Sequence, residues 1–217
     1  MNATRSYRYV VGIDEVGRGP LAGDAYVGAV VISAALNKSL ARAYRAHAHT
    51  SGHLFPCKLA DSKKLSLRQR EAWFAWMRLR GIEPIIARVS PGVIDTLNIA
   101  RACDRAAQRA YVRVRRVVRG VGVVRVVADG GLSLGNALRA RDDFEHFAKA
   151  DERVPAVSLA SIAAKVLRDR AMIRMARRYP HYGFDAHKGY GTKKHIRAIK
   201  KYGPSPLHRR SFIKKFV

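Results

Sequence analysis

Only 16 of the 217 residues are Asp or Glu, against 42 Lys and Arg, so an acid placed beside an apolar run stands out. Asp14 ends the run YVVGID and Glu15 follows it at once. Asp129 ends RVVAD, and Asp151 lies in KADERVP, just ahead of another short apolar run. Carboxylates at strand ends are well placed to converge at one edge of a sheet. Brought together they repel, raise one another's pKa, and are best tolerated when cations neutralise them. Hard oxygen donors in that number suit Mg2+ or Mn2+ rather than zinc. Two such ions about 3.5–4 Å apart can activate a water and stabilise a leaving oxygen in phosphodiester hydrolysis. A single strand-end Asp is more often a cap or turn residue, so the inference rests on the set.

The surroundings of these acids are strongly basic. The formal net charge is +26, and the last quarter of the chain, from Lys165 on, carries 16 basic residues against Asp169 and Asp185. There they are interleaved with Tyr179, Tyr182, Phe184, Tyr190, Tyr202 and Phe212, the composition of a groove that grips phosphates and packs on sugars or bases. A polyanion, and above all nucleic acid, is the partner this balance points to. With 48% hydrophobic residues the chain is not of the disordered class, and a single domain of this length buries about 70% of its unfolded surface. Cys57 and Cys103 form no CxxC pair and suggest reduced thiols. No apolar run approaches about 18 residues, and the first residues lack the pattern of a signal peptide. The expectation is a cytoplasmic monomer with no membrane attachment.

The elements that must position the acids are legible in outline. Residues 9–14, 25–33, 84–89 and 125–129 read as strands, and 154–158 as a short fifth one. Helices are predicted over 36–46, over 66–79 with Ser66 as its cap, over a continuous region from Pro91 through Asn98 to Arg119, and over 161–179 up to Pro180. On the third of these Arg101, Arg105, Arg109 and Arg113 recur every four residues, the pattern of a solvated face. Strands followed by alternating strands and helices describe an α/β fold with a mixed sheet. In a regular strand Asp14 and Glu15 would point to opposite faces. Both address one site only if the strand ends or bulges there, so irregular backbone is predicted between Glu15 and Gly19.

Six segments then occur in order: GIDEVGRGPLAG from Gly12, DSKKLS from Asp61, ADG from Ala128, DERVPAVSLASIAAKVLRD from Asp151, HKGYGT from His187 and HRRSF from His208. Together they resemble bacterial ribonuclease HII from end to end. The resemblance implies a ribonuclease H-like mixed five-stranded sheet flanked by helices, with a helical C-terminal extension. It implies one domain over 1–217, with a core to about residue 180 and a basic extension over about 181–217. It further implies an endonuclease that cuts on the 5′ side of ribonucleotides in RNA/DNA hybrids and in DNA duplexes containing even one ribonucleotide. Carried over by motif position, Asp14, Glu15, Asp129 and Asp151 are its catalytic, metal-binding carboxylates, served by Mn2+ or Mg2+. Asp169 is structural by comparison. Gly17, Arg18 and Gly19 would approach the ribose with their backbone and hold a phosphate, while Tyr190 packs on the deoxyribose that follows. Lys63, Lys64, Lys165 and Lys188 match family lysines that contact phosphate or the active site.

The chain also departs from the family pattern. The stretch 34–60 is long and contains His47, His49 and His53, which read as part of an exposed variable loop rather than a metal site. Ala150 stands where a glycine commonly precedes the fourth carboxylate, the third is followed by Gly130 and Gly131, and 142–147 reads DDFEHF. The nearest alternative is a ribonuclease HIII-like enzyme, which typically has an extra N-terminal domain, whereas only eight residues precede Tyr9 and the GRG is intact. A noncatalytic basic nucleic-acid-binding protein is the alternative from another class. SFIKKFV could dock a replication clamp or pack on its own domain.

Overall fold

A computed structural model describes residues 7–45, 55–136 and 141–217. His47, His49 and His53 lie outside the described residues. Strands β1 (Tyr9–Val16), β2 (Ala25–Ser33) and β3 (Ile85–Val89) form an antiparallel meander. β4 (Arg125–Asp129) pairs parallel with β1, and β5 (Asp143–Phe147) parallel with β4, giving a mixed five-stranded sheet ordered β3-β2-β1-β4-β5. The central strands read as continuous β-branched runs because helices cover both of their faces.

On one face Val11, Ile13, Val27, Ala29 and Val126 pack under α4 (Ile99–Val117). The other face, with Val10, Val30, Ile32 and Val127, carries α1 (Ala34–Arg45), α2 (Leu67–Leu79) and the long α5 (Pro155–Arg178). α2 begins with a capping box in which Ser66 and Gln69 satisfy each other's backbone N–H. α5 is buried nearly all round, from Ala156 to Ala164 without a break, as befits a helix laid across the middle of a sheet. It can lie that close because Gly12 and Gly28 face it: a Cβ on Gly12 would run into the backbone of Ala156 and Val157, and one on Gly28 would come within 2.6 Å of the Ala160 carbonyl oxygen.

A third cluster gathers the end of the chain. Leu21 and Ala22 pack with Met172 of α5, with Tyr182 in a 3-10 turn (Pro180–Tyr182), and with α6 (Phe184–His187), α7 (Lys193–Tyr202) and α8 (Arg210–Ile213). Ile213 is fully buried there, with Phe212 and Phe216 partly buried beside it. Among the described residues no helix is long and apolar enough to cross a membrane.

Four expectations need correction. The fifth strand is Asp143–Phe147, in the DDFEHF segment, while 154–158 opens α5. Pro155 at the first helical position explains the second half: its fixed φ starts a helix, and the two flanking valines alone mimicked a strand. Asp151 therefore sits on a 3-10 turn (Ala150–Glu152) between β5 and α5, not beside a strand. The predicted continuous helix is broken into α3 (Pro91–Leu97) and α4 at Asn98, whose φ of 65° ends one helix while its side chain accepts from Arg101 N to cap the next. Finally, β1 runs past its expected end at Asp14 to Val16, paired with Tyr26, and the irregular backbone expected between Glu15 and Gly19 is found at Gly17, with φ 92°.

The glycine contact supports a direct test. Gly12→Ala should destabilise the fold by about 1–3 kcal/mol or more, because the added methyl meets helix backbone rather than a movable side chain. Denaturant unfolding would measure it, and an effect as small as that of a surface substitution would contradict this packing.

Candidate active site

The end of β1 nearest Gly17 gathers the acids. Asp14 and Glu15 do lie on opposite faces of the sheet, since their pairing with Gly28 and Val27 is regular. They nevertheless line one pocket of about 210 Å³, because the strand ends two residues later and the site wraps around its tip. Asp129, the last residue of the neighbouring parallel strand β4, and Asp151, on its 3-10 turn, complete the set. Parallel pairing aligns Ile13 with Ala128, which brings the C-terminal ends of β1 and β4 side by side. Asp129 Oδ1 accepts from Ala150 N at 2.6 Å and so ties the end of β4 to the turn that carries Asp151. Ala150, where a glycine was expected, is buried and needs no positive φ.

The electrostatics are those of crowded acids. Burial pushes the Asp14 carboxyl well above the usual range, and Glu15, Asp129 and Asp151 push it further, against a hydrogen bond from Ser161. Asp151 is raised to about 6, first by burial and then by Asp129 and Asp61, with Lys63 opposing. Glu15 is also raised by burial, although Arg18 Nη1 donates to its Oε1 at 3.1 Å. Its Oε2 is buried without a hydrogen-bond partner. On the α4 side, burial and the Glu15 charge lift the Cys103 thiol to about 11, so that core residue is inert.

Of the expected substrate-binding residues, Gly17, Arg18, Gly19, Lys63, Lys165 and Tyr190 line the same pocket. Lys165 is mostly buried and donates to Asp169 Oδ1 at 2.8 Å, with Arg70 3.9 Å from the other oxygen. Lys64 and Lys188 are not among the lining residues. Lys64 reaches Glu152 at 2.9 Å, and the Lys188 ammonium donates to the Asp185 carbonyl.

The structure adds groups that motif reading passed over. Ser62 and Ser161 hydroxyls lie 2.8 Å apart in the pocket floor, and Asp61 acts electrostatically on Asp151. Arg168 and Arg209 are fully buried and spend their guanidinium donors on main-chain carbonyls around the Gly17–Asp24 loop. An arginine inside the apolar run of α5 and the arginines of the HRRSF segment are the sequence signals for this.

A larger cleft, about 1290 Å³, runs between β3 and α4 and is lined by Arg88, Arg105, Arg109, Arg113 and Arg116 among others. It contains none of the four carboxylates. Its Arg109 and Arg113 donate to the Arg88 and Ile86 carbonyls and so cap part of the open edge of the sheet. All four arginines of the row are exposed, as the solvated-face reading expects.

As their side chains stand, no three His, Cys, Asp or Glu among the described residues converge into a ready coordination shell, since the acids are turned partly to protein donors. The donor set still fits hard divalent cations. It offers four carboxylates around one pocket, three of them held above their ordinary pKa by burial and by neighbouring acids, and one orphaned buried oxygen on Glu15.

Comparison with known proteins gives a consistent picture. A family model described as Ribonuclease HII matches residues 11–215. The Ribonuclease HII of Bordetella pertussis is 39% identical over 205 residues, covering 94% of this chain and 88% of that protein. Among solved structures, the PCNA:RNase HII complex from Archaeoglobus fulgidus matches with TM-score 0.69 and 24% identity, over 92% of this chain and 93% of that one. Bst-RNase HIII in complex with Mn2+ matches with TM-score 0.67 and 16% identity, over 96% and 68%. At those identities the structural likeness shows a shared ribonuclease H-like fold.

The crowding of the acids is testable without substrate. Because the Asp151 pKa is raised in the folded state, the fold binds this proton more tightly than the unfolded chain does. Stability from that proton is present below the ordinary Asp value and is lost as pH rises through about 6. In chelator, Asp151→Asn should therefore be more stable than the parent at pH 8 by on the order of 1–3 kcal/mol, with the gap closing toward pH 4. Equal melting curves across that range would rule out the frustrated cluster.

Proposed function

The chain belongs to the ribonuclease HII family and is a ribonuclease H hydrolase. On that premise we propose that it cuts on the 5′ side of ribonucleotides, single ones embedded in duplex DNA included, with Asp14, Glu15, Asp129 and Asp151 as the catalytic carboxylates. The observation that carries this reading is one small pocket lined both by those four acids and by Gly17, Arg18, Gly19 and Tyr190. An acid cluster alone would serve any metal nuclease. The adjoining glycine turn and aromatic ring make it a site that can inspect one sugar.

The same four carboxylates would hold divalent cations, Mg2+ or Mn2+, and the Mn2+ complex of Bst-RNase HIII supports that choice. When bound, a cation pair supplies a water acidic enough to attack phosphorus and stabilises the departing 3′ oxygen, leaving a 3′-hydroxyl and a 5′-phosphate. The chain's own residues do the rest. Arg18, about two-fifths exposed and paired to Glu15, stands where it can exchange that carboxylate for a substrate phosphate. The Gly17–Gly19 turn leaves room for backbone to approach a 2′-hydroxyl. Tyr190 is 43% exposed at the pocket rim, a position from which a ring can pack on the next deoxyribose. Lys63 at the rim can meet a phosphate, and Lys165 positions Asp169 and the pocket floor. Lys64 and Lys188 would meet flanking phosphates from outside the pocket. A clamp contact, as in the archaeal complex, would draw on the terminal aromatic segment and would require Phe212, Ile213 and Phe216 to leave their cluster.

The test uses a duplex with one ribonucleotide and a uniform RNA/DNA hybrid, each with Mg2+ or Mn2+. Both should be cut, with the nick 5′ of the single ribonucleotide. Asp129→Asn should lose at least about a hundredfold in rate while still binding the duplex. An equal rate in the variant, or no cut of the singly substituted duplex by the parent, would overturn the reading.

A further inference from the structure

The segment Leu207–Arg209 is laid antiparallel to Leu21–Gly23. Gly23 N donates to the Leu207 carbonyl and Arg209 N to the Leu21 carbonyl, both at 2.8 Å, with Ala22 opposite His208. Leu21 N in turn donates to the Gly189 carbonyl at 2.8 Å. Three segments distant in sequence are thus knitted together directly behind Gly19 and Tyr190. Those two residues face each other closely: a Cβ on Gly19 would lie 3.9 Å from Tyr190 Cε1.

Arg209 holds one half of this arrangement. Its guanidinium donates to the Gly17 carbonyl at 2.6 Å, the Arg18 carbonyl at 2.7 Å and the Gly23 carbonyl at 2.8 Å, a fork spread over the turn that carries the glycines. His208 reaches the other half. Its Nδ1 lies 2.9 Å from Ser205 N, which can only donate, so that nitrogen is an acceptor and the neutral ring carries its proton on Nε2. Nε2 faces His195 Nε2 at 3.0 Å, which must then accept, leaving the His195 proton on Nδ1. That nitrogen lies 2.9 Å from the Tyr190 carbonyl and donates to it. His187, stacked on His195 at 4.4 Å, accepts from Gly189 N on Nδ1 and so donates from Nε2 to the Tyr182 carbonyl. Every proton in the cluster has one consistent place. His195 and His208 are buried, and burial holds both rings down to about 4, so they are neutral in neutral solution, with the charge of Arg210 further disfavouring a proton on His208.

We propose that His208 and Arg209 are specificity-positioning residues: Arg209 sets the Gly17–Gly19 turn, and His208, relayed through His195, sets the backbone of Tyr190, so that the C-terminal segment fixes the gap in which a ribose–deoxyribose junction is tested. This rests on the reading of the turn and Tyr190 as recognition elements. Neither residue touches substrate in this proposal, so its mark is selectivity and not a general loss of turnover.

The experiment compares kcat and KM on the singly substituted duplex and on the uniform RNA/DNA hybrid for Tyr190→Ala, His208→Phe, His208→Gln and Arg209→Lys, each checked for an intact melting transition. His208→Phe and Arg209→Lys should lower the ratio of the two specificities about tenfold, the scale of one or two misplaced hydrogen bonds. His208→Gln, which keeps a donor toward His195, should recover most of that ratio. The double variant Tyr190→Ala/His208→Phe should be no less selective than Tyr190→Ala alone. If Tyr190→Ala shifts the ratio and His208→Phe does not, the positioning proposal falls; if Tyr190→Ala itself leaves the ratio unchanged, the recognition reading beneath it falls. Long-range proton–nitrogen NMR on the unaltered protein gives an answer that does not depend on any variant folding. It should find the proton on Nδ1 of His195 and on Nε2 of His187 and His208, and any other assignment would break the relay.

Discussion

The candidate active site depends on how closely one helix can approach one pair of strands. α5 crosses β1 and β2 where Gly12 and Gly28 present no side chain, and its small residues Ala156, Ala160 and Ala164 fill the interface. That contact sets the height of Ser161 against Asp14 and of Lys165 against the pocket floor, since both lie on the same helix within two turns of the glycines' partners. It also carries the turn of Asp151 to the end of β4, because that turn leads directly into α5. A bulkier residue at either glycine would push the helix away and open the cluster of acids.

What the packing brings together, electrostatics resists. Four carboxylates share a small pocket, and burial with repulsion from neighbouring acids raises Asp14, Glu15 and Asp151. The chain eases this with Arg18, Lys63 and backbone donors, none of which neutralises the group fully. Such frustration is the physical signature of a site built for positive charge that arrives from outside. The rest of the chain is built the other way. Its positive surplus lies over the surface, and the few fully buried guanidiniums, Arg168 and Arg209, are matched to carbonyl oxygens rather than to acids. Basic residues thus serve two ends, surface attraction for a polyanion and internal bracing of the loop beside the acids.

Legibility from sequence followed the range of the physical signal. β1 and β2 were plain because β-branched runs of that length have few other uses, and α2 was plain because a capping serine precedes its apolar stripe. β5 was missed because its DFEHF alternation lies at a half-exposed edge and carries little apolar signal. Residues 154–158 looked like a strand because two valines weighed more than a proline suited to starting a helix. The break at Asn98 was missed because the apolar spacing continues across it while the backbone does not. All four carboxylates and the Gly17–Gly19 and Tyr190 motifs stand out in the sequence, and the structure gathers them in one pocket. Asp61, Ser62 and Ser161 were not singled out, since a polar residue beside a motif carries no mark of what it will touch.

By itself the sequence pointed to the partner class, through a charge excess that no fold can hide, and, through the types and motif positions of the scarce acids, to the residues proposed to carry the chemistry. It also determined that Asp129 would end one strand and that Asp14 and Glu15 would stand near the tip of another. Only the tertiary structure decided how Asp14 and Glu15, pointing to opposite faces, reach one site: the strand tip ends between them and Gly17, and β4 delivers Asp129 from the side. Only it decided that His208 and Arg209, about 190 residues from the glycine turn, would stand behind that turn and Tyr190. The reason is one of range. Composition and local spacing express energies that act within a few residues, whereas which buried donor meets which carbonyl is settled only when packing leaves it no other partner.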